Sequence, residues 1–168
     1  MQLRPYHQDD LATIHTINEA AYPAVGTETI EALAFIAEES VIALVVDDDC
    51  GNGIEIAGFC LVLAPGADYD SMNYRWFADR YDDFIYLDRV AISPAFQRRG
   101  IGRALYAEVE RQAVDRRPTA TDFTLEVNLR PRNDTSLAFH ADLGFVEVGQ
   151  QETDYGALVS LMSKPLQP

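Results

Sequence analysis

Residues 97–104 read Gln97-Arg98-Arg99-Gly100-Ile101-Gly102-Arg103-Ala104, with three arginines within six positions and two glycines, where an apolar periodicity predicts that a helix begins. A helix N-terminus presents unpaired backbone N–H groups and a positive dipole end, which together attract an anion. Glycines let the backbone come close to it, and arginines add charge where phosphates lie. Pyrophosphate is the natural guest. The spacing is neither the dinucleotide-binding fingerprint nor a lysine-ending phosphate loop, and it follows a mid-chain strand instead of the first. The competing reading is a solvated, glycine-rich helix start. Against it stands the local charge, which opposes the sign of the whole chain.

That chain has 168 residues, with 13 Lys+Arg against 27 Asp+Glu and a net charge of −14. Both nucleic acid and anionic membrane need a basic face, so neither is expected as a partner. Lys164 is the one lysine. With 48% hydrophobic and 24% charged residues the composition is that of a folded globular protein, and the length suits a single domain over 1–168. The longest apolar run, 41–46, is far short of the ~18 residues of a membrane span. Met1-Gln2-Leu3-Arg4-Pro5-Tyr6-His7 lacks an apolar secretory core. Two cysteines, Cys50 and Cys60, make neither a disulfide scaffold nor a metal cluster, so no metal is expected. A reducing, cytoplasmic compartment is the default.

The elements that must position the basic loop follow from periodicity. Residues 3–6 read as a strand. Asp9-Asp10 supplies acidic cap chemistry before the helical pattern Leu11, Ile14, Ile17, Ala21, and 27–39 supplies a second helix. Strands at 41–47 and 54–63 flank Cys50-Gly51-Asn52-Gly53, which has hairpin-turn chemistry. Residues 64–82 read as a long, aromatic-rich connection of the kind that tends to be functional. A strand at 84–92 precedes the basic loop; Ile101, Ala104, Leu105, Val109 and Ala113 then mark a long helix closed at Arg116-Arg117-Pro118. A strand at 121–128, a helix at 133–143 and strands at 145–149 and 157–163 complete a mixed α/β sheet.

Val90-Ala91-Ile92-Ser93-Pro94 followed by Gln97-Arg98-Arg99-Gly100-Ile101-Gly102 resembles the signature of the GNAT superfamily of acyl-CoA N-acyltransferases. A second stretch is similar to that family at the expected spacing: Leu125-Glu126-Val127-Asn128, then Asn133, Ser136, Phe139-His140 and Leu143-Gly144-Phe145. The resemblance implies a mostly antiparallel sheet of about seven strands with helices on both faces. It implies acetyl-CoA in a gap where the strands at 84–92 and 121–128 splay, the pantetheine arm pairing with Val90, Ala91 and Ile92 by strand addition. The pyrophosphate then falls on the amides of Arg98, Arg99, Gly100, Ile101, Gly102 and Arg103 beside Gln97, with Asn133, Ser136 and Phe139 near the arm. Capping of the next helix is the alternative role of Asn133 and Ser136. The family often has a β-bulge in the gap, and nothing in the residues points to one.

Family members usually transfer acetyl directly within a ternary complex, which requires a proton acceptor for the amine and stabilisation of the departing thiolate. Glu126 matches a general base of some members; an outward position in solvent is its alternative. Asp88, expected to share strand parity with Tyr86 and Val90, is a rival base or else an ion pair with Arg89. His140 stands where many members carry a thiolate-protonating tyrosine, and as an imidazole it suits proton collection near pH 7; the alternative is helix packing with a backbone carbonyl as partner. The resemblance puts acceptor selectivity at 22–29 and in the aromatic connection, with Tyr22, Tyr74, Trp76 and Tyr86 as the pocket; completion of the core or a homodimer contact is the other role for those rings. Arg130 and Arg132 are either exposed or attract an acidic acceptor or the coenzyme's ribose phosphate. The sequence reading is therefore an acetyl-CoA-dependent N-acetyltransferase of a small-molecule or peptide amine. Two alternatives stay open: a non-catalytic acetyl-CoA sensor and a user of longer acyl-CoA.

Overall fold

Apolar residues sort the strands into two faces, and helices cover both. The computed structural model describes residues 1–49, 51 and 53–166. Among them lie β1 (Gln2–Pro5), α1 (Leu11–Ala20), α2 (Ile30–Glu39), β2 (Ile42–Asp49), β3 (Ile54–Leu63), α3 (Met72–Ala78), β4 (Phe84–Ile92), α4 (Ile101–Arg116), β5 (Asp122–Arg130), α5 (Asp134–Asp142), β6 (Val146–Glu152) and β7 (Leu158–Pro165). The strands form one seven-stranded sheet in the order β1-β2-β3-β4-β5-β7-β6. Every neighbouring pair is antiparallel except β4–β5. This is the mixed, mostly antiparallel sheet expected. Cys50 and Asn52 of the anticipated hairpin turn lie outside the described residues.

One face packs Leu44, Val62, Leu87, Phe123 and Leu125 against Leu105, Tyr106 and Val109 of α4. The other packs Val45, Phe59 and Leu61 against Ile14 and Ile17 of α1 and Leu33 and Ile36 of α2, with Leu63, Phe84 and Tyr86 closed over by Tyr74 and Phe77 of α3. Helix starts are set by local chemistry. Thr29 accepts from the Ala32 amide at 3.1 Å, so α2 begins at Ile30, three residues later than periodicity suggested. Asp10 does not cap α1 through its side chain; its carboxylate takes Arg4 (2.8 and 2.9 Å) and the His7 amide (2.8 Å) instead.

The connection at 64–82 is not a loop throughout. Ser71 accepts from the Tyr74 amide at 3.4 Å and starts α3. Its aromatic residues have weak helix propensity; burial of Tyr74 and Phe77 stabilises the seven-residue helix instead.

The register places Gly58 of β3 opposite Ile92 of β4. A Cβ there would lie 2.8 Å from the Ala91 carbonyl oxygen and 2.8 Å from the Ile92 side chain. Gly58→Ala must therefore force β3 and β4 apart, with an expected loss of about 1–3 kcal/mol in urea unfolding. Unchanged stability would contradict this packing.

Candidate active site

β4 and β5 run parallel but pair only at Phe84–Asp122, Ile85–Phe123 and Tyr86–Thr124. Beyond that, β4 stays with β3 as far as Ile92 and β5 stays with β7 as far as Arg130, so the two diverge. The register with β3 shows the cause. Leu61 faces Arg89 and Val62 faces Leu87, which leaves Asp88 as the extra residue of a β-bulge. A bulge bends its strand and shifts the side-chain alternation. Ile85 and Leu87 pack on the α4 face, and so do Val90 and Ile92; Tyr86 and Ala91 pack on the opposite face. The expectation that Asp88 shares a face with Tyr86 holds. For Val90 it fails, because the bulge intervenes.

A cleft of about 1470 Å³ runs through the gap, larger than the ~300–1,000 Å³ of an ordinary small-molecule site and roomy enough for two reactants. It takes in every residue anticipated for the coenzyme except Arg99. Arg99 instead turns to Asp48 at 3.2 Å and to the Asp49 carbonyl at 3.1 Å. At the cleft's α4 end, Arg98 (φ +62°) and Gly100 (φ +82°) both adopt left-handed backbone, an alternation that turns successive amides toward one point. The first N–H groups of the 16-residue α4 follow directly, without helical acceptors of their own. Arg103 lines this end, paired with Asp142 on the surface. Asn133 caps α5, accepting from the Ser136 amide at 3.0 Å, and also lines the cleft. These groups fit a diphosphate.

On the opposite face of β5, Glu126 is half-buried and accepts the Tyr86 hydroxyl at 2.7 Å. Burial and the nearby Asp88 charge push its carboxyl up to about 7, while hydrogen bonds from Tyr86 and Asn73 and the charge of Arg89 pull it back. Burial also raises Asp88, against the pull of Arg89 and Tyr69. Asp88 accepts from Arg89 Nε at 3.1 Å, so the ion-pair alternative is present in the structure. On the α4 face, His140 is 5% exposed. Its Nδ1 lies 2.7 Å from the Ser136 carbonyl, which can only accept, so Nδ1 carries the hydrogen. Nε2 then accepts the Tyr106 hydroxyl at 2.5 Å. Burial holds the imidazole below its usual range, which favours this neutral form.

Tyr22 lines the cleft; Tyr74, Trp76 and Tyr86 do not. Tyr74 is buried with its hydroxyl on the Ala64 carbonyl at 2.8 Å. Trp76 packs over Gly149 of β6, where a Cβ would meet its ring at 2.6 Å. Tyr86 lies beneath Glu126. Thus Tyr74 and Phe77 of the aromatic connection complete the core, while Tyr69 of that connection lines the cleft with Tyr22. Arg130 and Arg132 are exposed and paired with Glu152 (3.0 Å) and Asp134 (2.6 Å). Tyr106 and, as a site residue, Arg89 were not anticipated; Glu28 and Asn73 fall within the two segments expected on the acceptor side without having been singled out there. Tyr106 lies beside Leu105 in α4 but was not among the positions marking its apolar stripe.

The pattern described as the acetyltransferase (GNAT) family matches residues 11–145. The ribosomal-protein-S18-alanine N-acetyltransferase of Escherichia coli shares the fold, with a TM-score of 0.73 at 20% identity over 99% of this chain and 94% of that one. NAA60 of Arabidopsis thaliana, solved with acetyl-CoA, gives 0.77 at 18% identity over 98% of each chain. Naa20 of Chaetomium thermophilum, solved with a bisubstrate analogue, gives 0.73 at 20% identity over 99% of this chain and 87% of that one. No curated protein matches the chain in sequence.

A carboxyl held above its ordinary value makes the folded state bind a proton that the unfolded state lacks, between about 4.5 and about 7. Stability therefore falls as pH rises through that window. Glu126→Gln is expected to melt above the wild type at pH 8 and to differ little from it at pH 4, read by calorimetry. An equal difference at both pH values would contradict the assignment.

Proposed function

The chain belongs to the GNAT acetyltransferase family, and from that premise we propose that it transfers the acetyl group of acetyl-CoA to a primary amine by direct attack in a ternary complex. The observation that carries this is one cleft through the sheet, with an anion-binding helix start on one side and a carboxyl near neutrality on the other. Bound acetyl-CoA supplies an acyl group activated as a thioester. Arg98, Arg103 and the amides of the α4 start hold its diphosphate, and the unpaired backbone of Val90, Ala91 and Ile92 holds its arm. That NAA60 was solved with acetyl-CoA and Naa20 with a bisubstrate analogue supports both halves of the reading. A reducing cytoplasm, where a free thiol product persists, is the compartment this reading assigns.

Glu126 takes the amine's proton. Tyr86 donates to one carboxyl oxygen and Asn73 is a second donor; of the carboxylate's about four lone-pair positions this leaves two for the acceptor. An alkylammonium at about 10.4 lies ~3.4 units above a base near 7, a mismatch of ~4–5 kcal/mol. An α-amino group at about 7.7–8.0 lies only ~1 unit above it, or ~1 kcal/mol. We therefore favour the amino terminus of a peptide, a class that the name of the Escherichia coli neighbour also carries. Asp88, held by Arg89, has the structural role. On the α4 face both nitrogens of His140 are engaged, Nδ1 with the Ser136 carbonyl and Nε2 with the Tyr106 hydroxyl; the Tyr106 hydrogen reaches a departing sulfur only when the hydroxyl turns from Nε2, so His140 positions Tyr106.

Thiol release and acetylated product, followed with acetyl-CoA over short peptides with free amino termini and over alkyl amines, test the proposal. Expected are turnover with a peptide and a rate that rises with pH through about 7. Glu126→Gln should lower kcat by about 10²–10⁴-fold and remove that limb. Acetyl-CoA binding without thiol release above background for any amine would make the protein a sensor and overturn the proposal.

The diphosphate seat has its own test. Arg98→Glu with Arg103→Glu should weaken CoA binding by about tenfold or more at low salt. The melting temperature should hardly move, since the Arg103–Asp142 pair is exposed. Unchanged CoA affinity would reject the seat.

A further inference from the structure

Arg89 is 8% exposed, yet it borders the cleft, and each of its three guanidinium nitrogens donates a hydrogen bond. Nε donates to Asp88 at 3.1 Å, Nη2 to Glu28, and Nη1 to the Gly26 carbonyl and, at 3.5 Å, to Asn18 Oδ1. Gly26 and Glu28 belong to the connection between α1 and α2, which lines the acceptor side of the cleft. From α1 that connection is held by Asn18 on the Gly26 carbonyl (3.0 Å), Glu19 on the Glu28 amide (3.0 Å) and His15 on the Glu28 carbonyl (2.9 Å). From the sheet, Asn128 of β5 donates to the Pro23 carbonyl at 3.2 Å, and at Gly26 and Glu28 the tie among the described residues is Arg89.

We infer that Arg89 is a positioning residue for the acceptor: it clamps the 26–28 segment to the bulge of β4 through Glu28 and Gly26 and offsets the Asp88 charge beside Glu126. The inference rests on Glu126 being the base proposed above. The bulge makes the arrangement possible. With Asp88 and Arg89 on the same face, a neighbouring carboxylate and guanidinium meet within one strand, and the rest of the fork is free to reach the loop. A simple ion pair would need one contact; this side chain makes four, to three separate segments. Such a site depends on the planar fork as well as on the charge.

The charge has a second consequence. The groups facing Glu126 are Tyr86, Asp88 and Arg89 from β4, Tyr69 and Asn73 from the α3 region, Tyr155 from the β6–β7 turn and Tyr106 from α4. Arg89 is the cation among them. Its removal leaves Asp88 uncompensated, and Asp88 then opposes ionisation of Glu126 more strongly.

Fork and charge are separable with two substitutions in the active protein. Arg89→Lys keeps the charge and loses the fork: the amine KM should rise about tenfold or more, with acetyl-CoA KM within about twofold and the pH midpoint unmoved. Arg89→Gln loses both: the amine KM should rise similarly, and the midpoint of the rate should move up by about half a unit or more. Glu28→Gln releases the loop end alone and leaves the interior pair intact, so the amine KM should rise even if the Arg89 variants fold poorly. An amine KM unchanged in Glu28→Gln and in whichever Arg89 variants fold would overturn the inference, as would equal losses for amine and acetyl-CoA. A wild type with no transferase activity would be a failure of the proposed function instead.

Discussion

The structure depends on three residue pairs. β4 and β5 hold each other at Phe84–Asp122, Ile85–Phe123 and Tyr86–Thr124 and nowhere beyond. A parallel pair that continued to Ile92 would satisfy its own backbone and close the sheet. The bulge at Asp88 prevents that, because one extra residue against β3 bends β4 away while β5 follows β7. Unpaired backbone in a protein interior is costly. Its persistence here, lining a cleft that opens on both faces, is what an extended ligand with amide groups would relieve.

The same bulge organises the charges. It turns Asp88 and Arg89 to one side, and Arg89 binds the segment that borders the acceptor. Glu126 then sits among a raised carboxyl, a tyrosine hydroxyl and an arginine, and its proton affinity reflects the balance of burial and charge more than any single contact. Across the gap, the Tyr106–His140 pair is held neutral among Phe123, Phe139 and Phe145. A raised carboxyl and a neutral hydroxyl–imidazole pair thus line one passage from opposite sides of the sheet. The net charge of −14 is spread over the surface, and the arginines at the α4 start stand against it where a diphosphate would lie.

Much of this was legible in the residues. Element order, the two-faced sheet, the basic loop and the Leu125-Glu126-Val127-Asn128 strand follow from periodicity, turn chemistry and local charge. What was not legible depends on long-range geometry. A bulge has no residue signature when Asp88 and Arg89 are as acceptable in a regular strand as in a bent one, so the parity of Val90 came out reversed. The seven residues of α3 are too few for a periodic stripe, and their rings left a ligand wall and a core role both open; Tyr74 and Phe77 are core. Tyr106 was not singled out, because only tertiary packing brings its hydroxyl to His140. Arg99 looked like its neighbours in the basic loop, and the distant hairpin acid Asp48 takes it away from the cleft.

Amide hydrogen exchange with and without CoA tests the parted strands most directly. The account predicts slowed exchange on CoA addition at the amides of residues 89–92 that point away from β3 and at those of residues 98–103, with β1 and β2 unaffected. Protection elsewhere in the sheet, with residues 89–92 already slow before CoA is added, would mean that no open strand edge exists and would contradict it.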